Sequence, residues 1–281
     1  MESPRSLLPA PDHVEIDGAR IATYALGSVG DAQTVVLCHG TPWSAESWAP
    51  VASLLADEGM RVLLWDMPGY GRSSQDPALP MDLASQMRRL ATLLSAWGLD
   101  RPHVVAHDVG GAVALGAHLL LGSEMSSLNL WDAVVLDPWG SPFFQLVADH
   151  GEVFDALPPR LHSALVREYI ASATPAGLSP EWIARLAIPW EGQDGRRAFS
   201  RQIASLSPKD TRAVAGRLDS TRCPVTVGWG GGDPWLPPDQ APLLAKRLRT
   251  AAPAAVLEGA GHLTPVERPE SVAAHLLSHM A

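Results

Sequence analysis

Apolar residues along the chain fall into two recurring patterns. Short, nearly unbroken apolar runs occur at Thr34–Cys38, Arg61–Trp65, His103–Ala106, Ala133–Leu136, Pro224–Trp229 and Ala255–Leu257. They lack the alternation of a half-exposed strand, and so fit strands of a parallel sheet covered on both faces. Longer stretches with helical spacing lie between them, at Ala49–Glu58, Asp82–Trp97, Gly111–Leu121, Pro238–Arg249 and Pro269–His279. This βαβ alternation predicts an α/β fold around a central parallel sheet. Near the N-terminus, His13–Asp17 and Arg20–Ala25 flank Asp17-Gly18, a hairpin signal that adds an antiparallel edge.

From about Trp139 to Thr221 the alternation stops. The segment has many prolines, no convincing strand, and helical stretches at Leu161–Ala173 and Pro180–Ala187. An all-helical insert at this point predicts a lid over the carboxyl ends of the strands, where open α/β sheets bind ligands. No internal repeat or low-complexity tract interrupts the pattern.

Composition narrows the class. The 281 residues are 46% hydrophobic and carry a formal charge of −9, with only Lys209 and Lys246 as lysines among 21 basic residues. No cationic stripe exists to hold a phosphate backbone or an anionic membrane, so the expected partner is a small molecule. The two cysteines, Cys38 and Cys223, are too few for a disulfide framework or zinc site and read as buried free thiols. MESPRSLLPA has no apolar run of a leader, and no stretch reaches the roughly 20 apolar residues of a membrane span. A soluble, cytoplasmic protein without metal or organic cofactor is expected.

Four stretches carry chemistry. In His103-Val-Val-Ala-His-Asp108-Val-Gly-Gly, a strand runs through a small–x–Asp–x–Gly–Gly turn into a helix rich in small residues. A sharp strand-to-helix turn needs small neighbours, and this is the nucleophile-elbow pattern with Asp108 where Ser is usual. The helix after it directs N–H groups at the elbow and favours negative charge there. Cys38-His39-Gly40-Thr41-Pro42-Trp43 follows the first core strand, Trp229-Gly-Gly-Gly-Asp233 ends another, and Gly259-Ala-Gly-His262 comes last. The glycines at 230–232 are not followed by the Lys-Ser/Thr of a phosphate loop. Asp66 and Arg72 in DMPGYGRS shape the turn after the second core strand.

With HGTP, DMPGYGRS, AHDVGG, WGGGD and GAGH in this order, the chain resembles α/β-hydrolases of the Asp-nucleophile branch, which includes epoxide hydrolases and haloalkane dehalogenases. The resemblance runs from about His13 to the C-terminus and is weak in the helical insert. It implies an α/β-hydrolase fold: a mostly parallel central sheet flanked by helices, with a helical cap inserted after the sixth strand. Residues 1–138 and 222–281 would form the core and 139–221 the cap. Asp108 would form an ester with substrate, His262 would activate the water that hydrolyses it, and Asp233 would orient His262. Asp137, after the AVVL run, is the alternative acid. The N–H groups of Thr41 and Val109 would form the oxyanion hole. His39, Trp43 and Trp139 are candidate pocket residues, His39 more as a structural element of its loop than as a proton carrier. His107 is expected to pack behind Asp108.

The leaving group separates the candidates. Halide needs N–H donors, and Val109 and Thr41 replace the Trp and Asn that serve similar dehalogenases. A tryptophan at 43, 139, 182 or 190 is the possible substitute. Epoxide opening needs an acid, and Tyr169 is the one tyrosine in the expected cap. An epoxide hydrolase is therefore the first expectation and a haloalkane dehalogenase the second. A natural-product lyase or cyclase, or a ligand binder using the same pocket, is the remaining alternative. An esterase is disfavoured, because no Ser occupies the elbow.

Overall fold

The computed structural model describes residues 4–27 and 33–280, so the first three residues of the stretch read for a leader lie outside it. Eight strands form one sheet: β1 (Asp12–Ile16), β2 (Ala19–Leu26), β3 (Thr34–Cys38), β4 (Arg61–Trp65), β5 (His103–His107), β6 (Ser127–Trp131), β7 (Val225–Gly230) and β8 (Ala255–Leu257). Their order is β1-β2-β4-β3-β5-β6-β7-β8, antiparallel at β1/β2 and β2/β4 and parallel elsewhere. The hairpin turn has left-handed backbone at both Asp17 (φ 50°) and Gly18 (φ 73°), as a two-residue turn between twisted strands requires.

The helices α1 (Ala49–Asp57), α2 (Leu83–Ala96) and α3 (Val109–Leu119) follow β3, β4 and β5. Between β6 and β7 lie α4 (Pro142–Asp149), α5 (Gly151–Asp155), α6 (Pro159–Ala171), α7 (Pro180–Ala187), α8 (Gln193–Ser205) and α9 (Pro208–Ala215). After β7 come α10 (Gln240–Leu248), α11 (Thr264–Glu267) and α12 (Pro269–Met280). The fold is thus the expected mostly parallel sheet flanked by helices, with an all-helical insert after the sixth strand. Prolines that interrupt the insert's sequence begin its helices: α4, α6, α7 and α9 each carry Pro at a first-turn position, where no N–H is required. Ser141 and Ser179 accept from the backbone N–H groups of Phe144 and Trp182 and cap α4 and α7.

One strand differs from expectation. Ala133–Leu136 is apolar and buried but is not a strand; β6 is Ser127–Trp131, with Asn129 in its middle. Asn129 is accommodated because its side chain accepts from Thr226 at 2.6 Å and donates to Ser127 at 3.2 Å. The chain leaves the sheet at Asp132, whose φ is 43°. Apolar character marked burial beneath the helical insert rather than membership of the sheet. Cys38 is a buried free thiol as expected, whereas Cys223 is half-buried. No helix among the described residues is long and apolar enough to cross a membrane.

Candidate active site

Three loops at the carboxyl ends of β5, β7 and β8 bring Asp108, Asp233 and His262 together. Asp108 stands between β5 and α3 with φ 54° and ψ −130°, a conformation that L residues rarely adopt. The turn is possible only because its neighbours are small. A Cβ on Gly110 would lie 2.4 Å from the His39 carbonyl oxygen, and one on Gly40 would lie 2.3 Å from the Asp108 Cβ. Asp108 is 3% exposed, and the Thr41 N–H donates to its Oδ2 at 3.0 Å.

His262 has two distinct nitrogens. Nδ1 donates to Asp233 Oδ2 at 2.8 Å, while Nε2 has no hydrogen-bond partner and lies 3.6 Å from Asp108 Oδ2. Asp233 is oriented in turn by the N–H groups of Trp235 (2.8 Å) and Leu236 (2.9 Å) on its Oδ1. This chain of contacts fixes the orientation of the ring, with Nε2 facing Asp108. Burial alone would lower the imidazole's pKa, but the carboxylates of Asp233 and Asp108 outweigh it and hold the pKa well above the ordinary value. Burial raises the Asp108 pKa, opposed by His262 and by the N–H groups of Thr41 and Val109.

Asp137, the alternative acid, is exposed and pairs with Arg212 Nε at 2.5 Å, away from His262. The mis-read strand explains the displacement: the carboxylate that actually follows β6 is Asp132. Its Oδ1 accepts from the Gly230 N–H at 2.7 Å and its Oδ2 from the Thr264 hydroxyl at 2.6 Å. One oxygen of Asp132, one of Asp233 and a ring nitrogen of His262 all lie within 4.8 Å of one another. Burial, then the neighbouring Asp233 charge, push the Asp132 pKa well up. Three such donors resemble a metal cluster, but hydrogen bonds within the protein already engage both Asp132 oxygens and the His262–Asp233 contact.

The cavity above Asp108 has a free volume of about 30 Å³. Its floor is Asp108, Thr41, Val109 and His262, and its walls include Val134, Trp139, Phe144, Tyr169, Trp235 and Leu236. Trp139 lines this cavity. His39 and Trp43 do not; both lie beneath the cavity. Nε2 of His39 accepts from the Met67 N–H at 2.9 Å and Nδ1 donates to the Gly40 carbonyl at 2.8 Å, which makes it a brace for its loop. Trp43 stacks on Trp235 at 5.6 Å, and Trp235 stacks on Tyr169 at 4.6 Å, so Trp43 backs the two rings that face the cavity. His107 donates from Nε2 to the His262 carbonyl at 2.7 Å, and burial followed by the His262 charge drives its pKa well down. The neutral His107 thus fixes the backbone of His262.

Indole donors are mostly committed elsewhere. Trp139 donates to Thr211 at 2.9 Å, Trp235 to Ser172 at 3.3 Å and Trp190 to the Pro42 carbonyl at 3.0 Å. Trp182 packs against Arg185, and Trp43 Nε1 is unpartnered but belongs to a ring outside the cavity wall. Among the tyrosines, Tyr24 donates to Asp66 and Tyr70 to Gln202. Tyr169 makes no side-chain hydrogen bond among the described residues. Burial, then the charge of Asp108, raise its pKa, so the phenol is neutral. Asp66 accepts from Ala45 N, Tyr24 and Arg72 N and shapes its turn as expected. Sequence reasoning missed Asp132, Trp235, Phe144 and Gln202. Only Trp235, two residues after Asp233, carried a local signal.

A mostly parallel sheet, a strained acidic residue between strand and helix, and a buried Asp–His pair on later loops define an α/β enzyme built for covalent or general-base chemistry. Residues 35–275 match the alpha/beta hydrolase family, and the chain belongs to it. An alpha/beta hydrolase fold protein from Burkholderia ambifaria is 36% identical, with a TM-score of 0.92 over 97% of this chain and 98% of that one. The candidate carbamate hydrolase RutD of Caulobacter sp. (strain K31) is 28% identical over 91% of this chain and 93% of its own length. Epoxide hydrolase A of Mycobacterium tuberculosis is 27% identical over 97% of each chain.

Proposed function

We propose that this hydrolase opens small, neutral, largely apolar epoxides through an ester on Asp108. The carrying observation is Tyr169. Its neutral hydroxyl, unpaired among the described residues, belongs to the cavity wall above Asp108, whereas both indole N–H groups of that wall already donate elsewhere. The site thus offers a proton to an alkoxide more readily than it offers N–H donors to a halide.

In the proposed reaction an Asp108 oxygen attacks one epoxide carbon and the carbon–oxygen bond breaks. The resulting alkoxide takes the Tyr169 proton, leaving the ester and a phenolate. Esterification removes the Asp108 charge that helps to hold the His262 pKa up, so the imidazolium releases its Nε2 proton to solvent after the first step, becomes a competent base, and takes a proton up again once the Asp108 carboxylate is regenerated. His262 Nε2 takes a proton from water, and hydroxide adds to the ester carbonyl carbon. The Thr41 and Val109 N–H groups hold the oxyanion, and Asp233 stabilises the imidazolium. Collapse expels the diol oxygen, which takes the proton back from His262. The new carboxylic acid of Asp108 loses its proton to the Tyr169 phenolate, and every group returns to its starting state.

The test is intact-protein mass of His262→Phe after exposure to styrene oxide and 1,2-epoxyhexane, and separately to 1-bromobutane and 1-chlorohexane. Without a base the ester accumulates. The expected adduct has the mass of the whole epoxide and maps to Asp108. An adduct of alkyl mass from the halides alone overturns the epoxide reading, and no adduct from either set overturns covalent catalysis by Asp108.

A further inference from the structure

The helical insert grips the reacting loops at three points. Gln202 of α8 is fully buried, and its Oε1 accepts from the Thr41 hydroxyl at 2.5 Å and from the Tyr70 hydroxyl at 2.7 Å. Trp190, just after α7, donates to the Pro42 carbonyl at 3.0 Å. The carbonyl of Ala173, just after α6, accepts from the His262 N–H at 2.9 Å. The peptide that carries the Asp108-binding N–H and the backbone of the base are therefore both tied to the insert.

Thr41 is the member of this set whose N–H reaches Asp108. Its loop is also braced by His39, by Trp190 on the Pro42 carbonyl and by the Ala45 N–H on Asp66, but none of these bonds engages Thr41 itself. Gly40, required by the close approach of Asp108, contributes no side chain, and its carbonyl accepts from Trp43 N at 3.1 Å and from His39 Nδ1 at 2.8 Å. The Thr41 hydroxyl is two bonds from the same Cα that bears the N–H, so fixing one fixes the other. Gln202 fixes it from α8 and joins it to Tyr70, whose ring packs edge-on to His39 at 5.2 Å. A single acceptor oxygen thereby ties the loops after β3 and β4. Gln202 Nε2 has no partner, a cost in stability that singles the amide out from the apolar residues around it.

We propose that Gln202 is a positioning residue for the Thr41 N–H, so that the oxyanion-binding donor is set only while the helical insert is packed down. This rests on the reading of Asp108 as the ester-forming group. Oxyanion donors act over a narrow distance range, so a loop released by a few tenths of an ångström stabilises the tetrahedral intermediate less. Lifting the insert to admit substrate breaks the Gln202, Trp190 and Ala173 contacts together. Closing it excludes bulk water and restores the donor in one movement.

The test compares Gln202→Leu, Thr41→Val, Thr41→Ser and the Gln202→Leu/Thr41→Val double variant. Amide hydrogen exchange of the free protein reads the loop directly and needs no substrate. Exchange in the segment 39–47 is expected to rise about tenfold in Gln202→Leu and Thr41→Val. It should stay at the wild-type rate in Thr41→Ser, and α2 should be unaffected in all variants. With styrene oxide, kcat is expected to fall about tenfold with KM within about twofold, and the double variant should lose no more than either single one. Unchanged exchange in the loop, or fully additive losses in the double variant, overturns the proposal. If Gln202→Leu fails to fold, the isosteric Thr41→Val and Thr41→Ser pair decides. If wild type turns over no epoxide, the ester reading has failed, and the exchange measurement still decides whether Gln202 holds the loop.

Discussion

The loops of the sheet and the helices above them meet in one cavity but are built on opposite terms. The sheet side supplies buried titratable groups: Asp108, Asp132, Asp233 and His262 are all at most 6% exposed, and each carboxylate accepts from backbone N–H groups. The helical side supplies apolar and aromatic surface from Phe144 and Tyr169, and its polar contacts to the site are few, chiefly Gln202, Trp190 and Ala173. In the proposed reaction, charge buried in a low-dielectric floor does the bond making, while the roof decides what enters and when the floor is complete. Substitutions in the floor should therefore abolish chemistry, and substitutions in the roof should slow or redirect it.

The largest effect that would break this contrast concerns the acid. Asp233→Asn should reduce kcat by about three orders of magnitude with the fold retained, because the His262 tautomer is no longer fixed. Asp137→Asn, which removes only a surface ion pair, should leave kcat within about twofold. Steady-state kinetics on both variants checks the assignment, and the reverse order would return the acid to Asp137. Next comes the roof. Tyr169→Phe should slow epoxide opening by about 100-fold while leaving hydrolysis of a preformed ester unaffected, read by single-turnover rates. A loss confined to ester hydrolysis would move Tyr169 out of the role of acid.

The smallest expected effect concerns Asp132, the buried carboxylate that touches no substrate. Its folded-state pKa is raised, by burial first and Asp233 second. Above pH ~4 the unfolded chain releases this proton, and the folded protein retains it until the pH passes the raised value. Wild type should therefore lose stability across that interval as pH rises, and Asp132→Asn should not. Thermal melting from pH 4 to 8 should show the variant gaining about a few degrees over wild type, with the gap widening and then levelling. A gap independent of pH would mean that Asp132 is not held protonated.

Much of the floor was legible in the chain because elbows and sharp loops impose local demands. Small residues around Asp108, glycines at 40 and 110, and the Asp233 and His262 loops each leave a mark within a few positions. The roof left little: Tyr169 stood out only as the one tyrosine of the expected cap, and Phe144 and Gln202 left no mark, since they face the site through helix packing that no short motif encodes. The misplaced acid candidate is instructive in the same way. Ala133–Leu136 is more apolar than Ser127–Trp131, so the apolar signal pointed five residues too far and led to Asp137 instead of Asp132. Asn129 can sit in the strand only because Thr226 and Ser127 satisfy it, a fact of strand pairing rather than of sequence.

The central claim is that water attacks an ester on Asp108 and not the substrate. A single turnover of styrene oxide with enzyme in excess in H₂¹⁸O, followed by mass analysis of the peptide containing Asp108 and of the diol, tests it directly. The account predicts ¹⁸O in the Asp108 carboxylate and none in the first-turnover diol. Label in the diol with none in the peptide would mean that water opens the substrate directly, and would contradict it.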